Sequence, residues 1–184
     1  MAERASALTH LLPAAPGKNF VLSEARYGSI LQVQSWPDTL KTVQAVLISE
    51  LLDEETPPAG SAIIRSETVV AAIAPGRFML AGPANLTTRL ESALPASDAA
   101  VTDVFHGRVV LKIEGGAVER VLQGCVMIDL DKRAFPPGRV AQTAIHHIDV
   151  LVHRIDENHF ELWVLRSFAE SLAEWLIDAS EASP

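Results

Sequence analysis

A single cysteine, Cys125, is all the thiol this 184-residue chain offers. It excludes an intramolecular disulfide and any thiol-only zinc site, and it fits a reducing cytoplasm. Basic residues are also scarce: 15 Lys and Arg stand against 23 Asp and Glu, for a net charge of −8 and a sequence pI near 5.2. That balance argues against non-specific binding to nucleic acid or to an anionic membrane surface, since both reward clustered Lys and Arg. No apolar run approaches the ~20 residues of a membrane-crossing helix. The opening MAERASALTHLLPAAPG lacks the signal-peptide order of basic flank, long apolar stretch and small-residue cleavage site. The glycines form neither G-x-G-x-x-G nor a P-loop, and no serine sits in a G-x-S-x-G elbow, which removes the usual nucleotide and hydrolase signatures. The expectation is a cytoplasmic protein with no nucleic-acid and no membrane partner.

What the chain does have is apolar residues, 48% of the total, enough to fill an ordinary core. Residues 1–18, rich in Ala and Pro, read as an N-terminal arm, and 19–184 as a single α+β domain with a sub-boundary near 94–99. GSILQVQS (28–35) alternates as a half-buried strand does. Ser35-Trp36-Pro37-Asp38 reads as a helix start, and Leu40, Val43, Leu47 and Leu51 recur at helical spacing through residue 52. Residues 53–62 read as a loop, and the runs 68–74 and 77–81, split by Pro75-Gly76, as a strand pair. Asn85 to Leu94 suits a short helix. Strands are expected at 99–105 and 108–113, with a helix at 117–123 closed by Gly124. Three more strands fall at 139–145, 148–155 and 159–165. Ser167 to Glu170 reads as a capping box opening a last helix striped by Phe168, Leu172, Trp175 and Leu176. This order suggests α+β with a mainly antiparallel sheet.

TAIHHIDVLVHRIDENHF (143–160) holds four of the six histidines. If 148–155 and 159–165 pair across the Asp156-Glu157-Asn158 turn, His153 faces Glu161 and Leu151 faces Trp163. A metal reading would join His153 and Glu161 to His146 or His147. Adjacent histidines on opposite strand faces bring too few ligands together for zinc, so the reading from the residues is of strand and turn histidines with a charged partner. Asp103, His106 and Ser167 could be imagined as a triad, but Ser167 reads as a helix cap. Cys125, ahead of Val126-Met127-Ile128, reads as a buried inert thiol. Arg133, Arg139, Arg154 and Arg166 either ring an anion or form surface ion pairs, the second being the commoner outcome. Met79, Met127 and the three tryptophans read as core.

VTDVFHGRVVLKIEG (101–115), GCVMIDLDKRAFPPGRVAQTAI (124–145) and HHIDVLVHRIDENHFELWVLRSFAESLAEWL (146–176) resemble the gamma subunit family of heterotetrameric sarcosine oxidase. QSWPDTLKTVQAVL and APGRFMLAGP support the likeness over 20–98. That family is similar in fold to the folate-binding domain of the glycine-cleavage T protein. Asp103-Val104-Phe105-His106 stands where the wider family often reads Asp-Val-Ser-His. His146-His147 stands for its Gly-Gly element, and Ile148-Asp149 for an aspartate pair used in folate chemistry. Asp149 is therefore the one folate-like candidate, and the chain is about half a T protein's length.

The resemblance implies a non-catalytic subunit of a complex that oxidatively demethylates sarcosine to glycine. Its products are hydrogen peroxide with formaldehyde or methylenetetrahydrofolate. The partners implied are alpha, beta and delta subunits, which hold FAD, FMN, NAD, tetrahydrofolate and zinc, while this chain alone holds no cofactor and no metal. In that role the N-terminal arm and the apolar 37–52 helix offer contact area to a larger partner. The alternative is a stand-alone folate-binding or aminomethyltransferase-like protein in which Asp149 serves the reacting amine and arginines hold the folate glutamate.

Overall fold

The computed structural model describes residues 6–17 and 19–182. In chain order the elements are β1 (Ala14–Gly17), β2 (Phe20–Ala25), β3 (Ser29–Ser35), α1 (Leu40–Leu47), β4 (Ser61–Arg65), β5 (Thr68–Ala74), β6 (Arg77–Gly82), α2 (Leu86–Ala93), β7 (Ala99–Asp103), β8 (Arg108–Glu114), α3 (Val118–Gln123), β9 (Val140–Ile145), β10 (Ile148–Asp156), β11 (His159–Leu165) and α4 (Ala169–Ala182). They sort into two compact units that part after Arg26 and after Phe105. The α+β, antiparallel character read from the sequence holds, and it takes the form of two sheets.

The unit Tyr27–Phe105 carries five strands in the order β4-β5-β6-β3-β7, every pair antiparallel. Pro75-Gly76 turns β5 into β6, and Gly76 takes φ +71°, a conformation that glycine adopts without steric cost. Leu31 and Val33 of β3, Val70 of β5 and Leu80 of β6 form one apolar layer with Val43 and Leu47 of α1 and with Leu86 and Leu90 of α2. The apolar stripe expected to reach a partner thus packs into this unit's own core. The helix also starts later than the Ser35 signal suggests. Ser35 ends β3, and Thr39 is the N-cap, its hydroxyl accepting the Trp36 N–H at 3.0 Å. Beyond Leu47 the last turn widens to a π-helix over Ile48–Leu52, closed by the Asp53 N–H on the Ile48 carbonyl at 2.9 Å.

The second unit holds six strands, β1-β2-β8-β11-β10-β9, again all antiparallel. Period-two alternation turns Val109, Leu111 and Ile113 of β8, Phe160, Leu162 and Val164 of β11, and Val150 and Val152 of β10 onto one face. Leu172, Ala173 and Leu176 of α4 and Val118, Val121 and Leu122 of α3 join them in one buried cluster. Each fully buried large side chain of this set contributes on the order of 1.5–3 kcal/mol relative to exposure. Phe168 is 45% exposed and Ser167 lies inside a 3₁₀ turn, Arg166–Phe168, so the expected capping box is a tighter lead-in to α4.

Of the expected arm, residues 1–5 and 18 lie outside the described residues. Leu8 is wholly buried in the six-stranded unit's core, and β1 pairs with β2. Gly115, at φ +125°, allows β8 to end against the Asn19 carbonyl, which an added Cβ would strike.

Candidate functional site

The histidine-rich hairpin has the register its turn predicts: His153 lies opposite Glu161, and Leu151 opposite Trp163. His153 is 1% exposed and Glu161 4%. The His153 Nδ1 stands 3.9 Å from Glu161 Oε2, within ion-pair range but too far for a hydrogen bond. That carboxylate oxygen instead accepts the indole N–H of Trp163 at 3.2 Å. Neither ring nitrogen of His153 meets a hydrogen-bond partner among the described residues. His159 lies two residues before Glu161 on β11, so on the same face. Burial, then the charge of Lys112, lowers its pKa below the usual imidazole value.

His146 and His147 do not sit on opposite strand faces as the sequence suggests. They form the turn between β9 and β10, with Ile145 paired to Ile148 and His146 at φ +53°. They are therefore at the far end of β10 from His153. Among the described residues, no group of three or more His, Cys, Asp or Glu is arranged to hold a metal ion.

Asp149, the folate-like candidate, is exposed near the start of β10, opposite Ala144 of β9. Its charge acts on Arg108: burial lowers the guanidinium's pKa and Asp149 opposes the fall. A general base needs a cleft that excludes water and brings it within hydrogen-bond reach of the reacting group. An exposed carboxylate whose field falls on an arginine is a poor match to that requirement.

The four arginines do not all remain available to an anion. Arg154 is fully buried, and its five N–H groups are all engaged. Nε donates to the Asp156 carbonyl at 3.2 Å, and Nη1 to the carbonyls of Leu130 at 2.8 Å and Phe135 at 3.0 Å. Nη2 donates to Glu119 Oε2 at 2.6 Å and to the Glu157 carbonyl at 3.1 Å, while the Phe160 ring lies 4.9 Å from the guanidinium carbon. Arg154 thus ties the 124–139 connection and the β10–β11 turn to the sheet, a role not anticipated from the sequence. Arg133 is exposed and lies 3.7 Å from Asp131.

Cys125 is half-buried, donates to the Val121 carbonyl at 2.7 Å, and has its pKa pushed up to about 12 by burial, so at neutral pH it is a thiol and a poor nucleophile. Asp103 accepts the Phe105 N–H at 2.8 Å, a turn-forming contact. Two residues assigned to the core prove otherwise: Met127 is 93% exposed and Trp36 42%, the latter bonding the Ala96 carbonyl through its indole N–H at 3.0 Å. Both lie on connections rather than in elements, so periodicity gave no burial signal for either.

The chain matches the Sarcosine oxidase, gamma subunit family over residues 37–182. A sarcosine oxidase subunit gamma from Corynebacterium sp. (strain U-96) is 35% identical over 62% of this chain and 57% of its own, so the match spans little more than half of that relative. One from Arthrobacter sp. is 30% identical over 86% of this chain and 79% of its own. Among solved structures, a chain of the heterotetrameric sarcosine oxidase from Corynebacterium sp. U-96, in complex with pyrrole 2-carboxylate, superimposes with a TM-score of 0.85. It shares 28% identity, with 98% of each chain covered. The glycine cleavage system aminomethyltransferase T from Bartonella henselae shares the fold, with a TM-score of 0.64 at 18% identity over 90% of this chain and 47% of its own.

Proposed function

Because the chain belongs to the sarcosine oxidase gamma subunit family, we propose that it serves as the gamma subunit of a heterotetrameric sarcosine oxidase, contributing assembly and stability rather than chemistry. The observation that carries this reading is the likeness, over nearly the whole length of both chains, to a chain of such a heterotetramer. The complex oxidatively demethylates sarcosine to glycine, with hydrogen peroxide and formaldehyde or methylenetetrahydrofolate as the other products. Flavins, NAD, tetrahydrofolate and zinc belong to the alpha, beta and delta partners. The side chains support the same division of labour. Arg154 has no N–H left for a folate carboxylate, Cys125 is held as a thiol, and Asp149 is exposed.

The test is co-expression of the tagged chain with candidate alpha, beta and delta subunits, followed by assay of the eluate for flavin absorbance and sarcosine-dependent peroxide. A stable, active, flavin-containing complex is expected, and leaving this chain out should lower its yield or its thermal stability. Three remaining subunits that assemble with full turnover and unchanged thermal stability would overturn the reading. Tetrahydrofolate binding to the isolated chain at micromolar concentration would favour the stand-alone alternative.

A further inference from the structure

Gly124, Cys125, Met127, Ala144, His146 and Trp175 line a cleft of about 280 Å³ at the β9–β10 turn. Three features set it apart from an ordinary surface dimple. Met127 projects almost wholly into solvent, at 93% exposed, from a connection that the buried Arg154 grips through the Leu130 and Phe135 carbonyls. A thioether on a fastened connection is a presented group rather than a frayed one. The turn residue His146 adopts φ +53°, a conformation glycine takes far more readily, and its ring stands edge-on to Trp175 with centroids 4.3 Å apart. The histidine therefore supplies a wall that a glycine would not. The volume falls just short of the ~300–1,000 Å³ typical of sites that enclose a small molecule, which suits a single inserted side chain.

Charge beside the cleft identifies the kind of side chain that accompanies it. On α4, Glu174, Asp178 and Glu181 are exposed, and among the described residues no ion pair engages them. Asp178 is one turn on from Trp175, so the acidic row borders the aromatic wall. Like charges at this spacing repel, and acidic groups at a helix C-terminus oppose the dipole, so the isolated helix gains nothing from them. A cationic neighbour would reverse both effects.

We propose that this cleft is a docking pocket for a basic segment of a partner protein, which inserts one large apolar side chain between Met127 and Trp175 and sets Lys or Arg against Glu174 and Asp178. The inference rests on the subunit reading above and names the surface through which it acts. Exposed methionine suits the task because its unbranched, polarisable side chain moulds to an incoming group.

The test compares the full-length chain alone with the complex obtained by co-expression with alpha, beta and delta subunits. Both are treated briefly with hydrogen peroxide, and oxidation of Met127 is read by peptide mass spectrometry, with the buried Met79 as internal reference. Oxidation of Met127 should slow at least tenfold in the complex. Met127→Lys and the double variant Glu174→Lys/Asp178→Lys should each lower the fraction of chain recovered with its partners at least tenfold, while Met127→Leu recovers like wild type. A complex in which Met127 oxidises as fast as in the free chain would overturn the pocket and leave the subunit reading standing. Protection of Met127 without any effect of the acidic reversals would overturn the basic character of the partner. Failure of the wild-type chain to join any complex would remove both proposals together.

Discussion

His153 and Arg154 are neighbours in sequence, both almost fully buried, and they point to opposite faces of β10; among the described residues one has no hydrogen bond on its ring and the other has five on its guanidinium. A guanidinium keeps its charge at any physiological pH, so burying it demands acceptors on every side. The chain meets that demand with four main-chain carbonyls, from the 124–139 connection and the β10–β11 turn, and one carboxylate, Glu119 of α3. An imidazole can be buried uncharged, with the milder penalty of unsatisfied nitrogens. Burial by itself therefore says little about what a polar residue does; the arrangement of acceptors around it says a great deal.

The comparison can be broken most forcefully at Arg154. Arg154→Ala should cost about 3–5 kcal/mol of stability, the usual scale for stripping one member of a buried ion pair. Arg154→Met should recover little of it, because the four carbonyls would still lack donors. Denaturant titration of both variants decides the matter, and a methionine variant as stable as wild type would show that the acceptors are not what holds the connections. His153→Leu should by contrast stay within about 1.5 kcal/mol of wild type, since the ring gives up no hydrogen bond. A larger loss would place His153 in a role its geometry does not reveal.

Two titrating groups sharpen the contrast at a smaller scale. The pKa of His159 is lowered in the fold by burial, then by Lys112. The unfolded chain therefore takes up a proton near 6.5 before the folded one does, and stability should fall as pH drops below that value. His159→Asn should flatten this acid limb in denaturation midpoints measured from pH 7 to 5. Cys125 works in the other direction. With its folded pKa raised to about 12 from an ordinary 9.0, its contribution is complete below pH 9 and is lost as pH climbs through the folded value. Iodoacetamide at pH 8 should accordingly modify the native thiol far more slowly than the denatured one, and Cys125→Ala should remove the small alkaline slope.

Local pattern carried much of this architecture. The β10–β11 register follows from one tight turn, and the pairing of His153 with Glu161 and of Leu151 with Trp163 was legible from numbering alone. The same alternation places Arg154 on the side of Val150 and Val152, so strand parity carries a signal for its burial that its charge conceals. Other features depend on distant partners. Ala14–Gly17 has no strand signal of its own and becomes β1 only by lying along β2. SAIIR, read partly as loop, is strand β4 because β5 accepts it. Ile64 of that edge strand is 47% exposed. Met127 shows the limit from the other side: its apolar type suggested core, and only the path of the 124–139 connection sets it in water.

The pairing of β2 with β8 has a consequence in time. These neighbours in the sheet are separated in sequence by the whole of Tyr27–Phe105. During vectorial synthesis the amino-terminal strands leave the ribosome first and must wait, edges bare, while the five-stranded unit is made and gains every partner it needs. Their own sheet can begin to close only when β8 arrives. Because the inserted unit enters and leaves through adjacent antiparallel strands, it is also the segment that a short engineered turn from β2 to β8 could bypass.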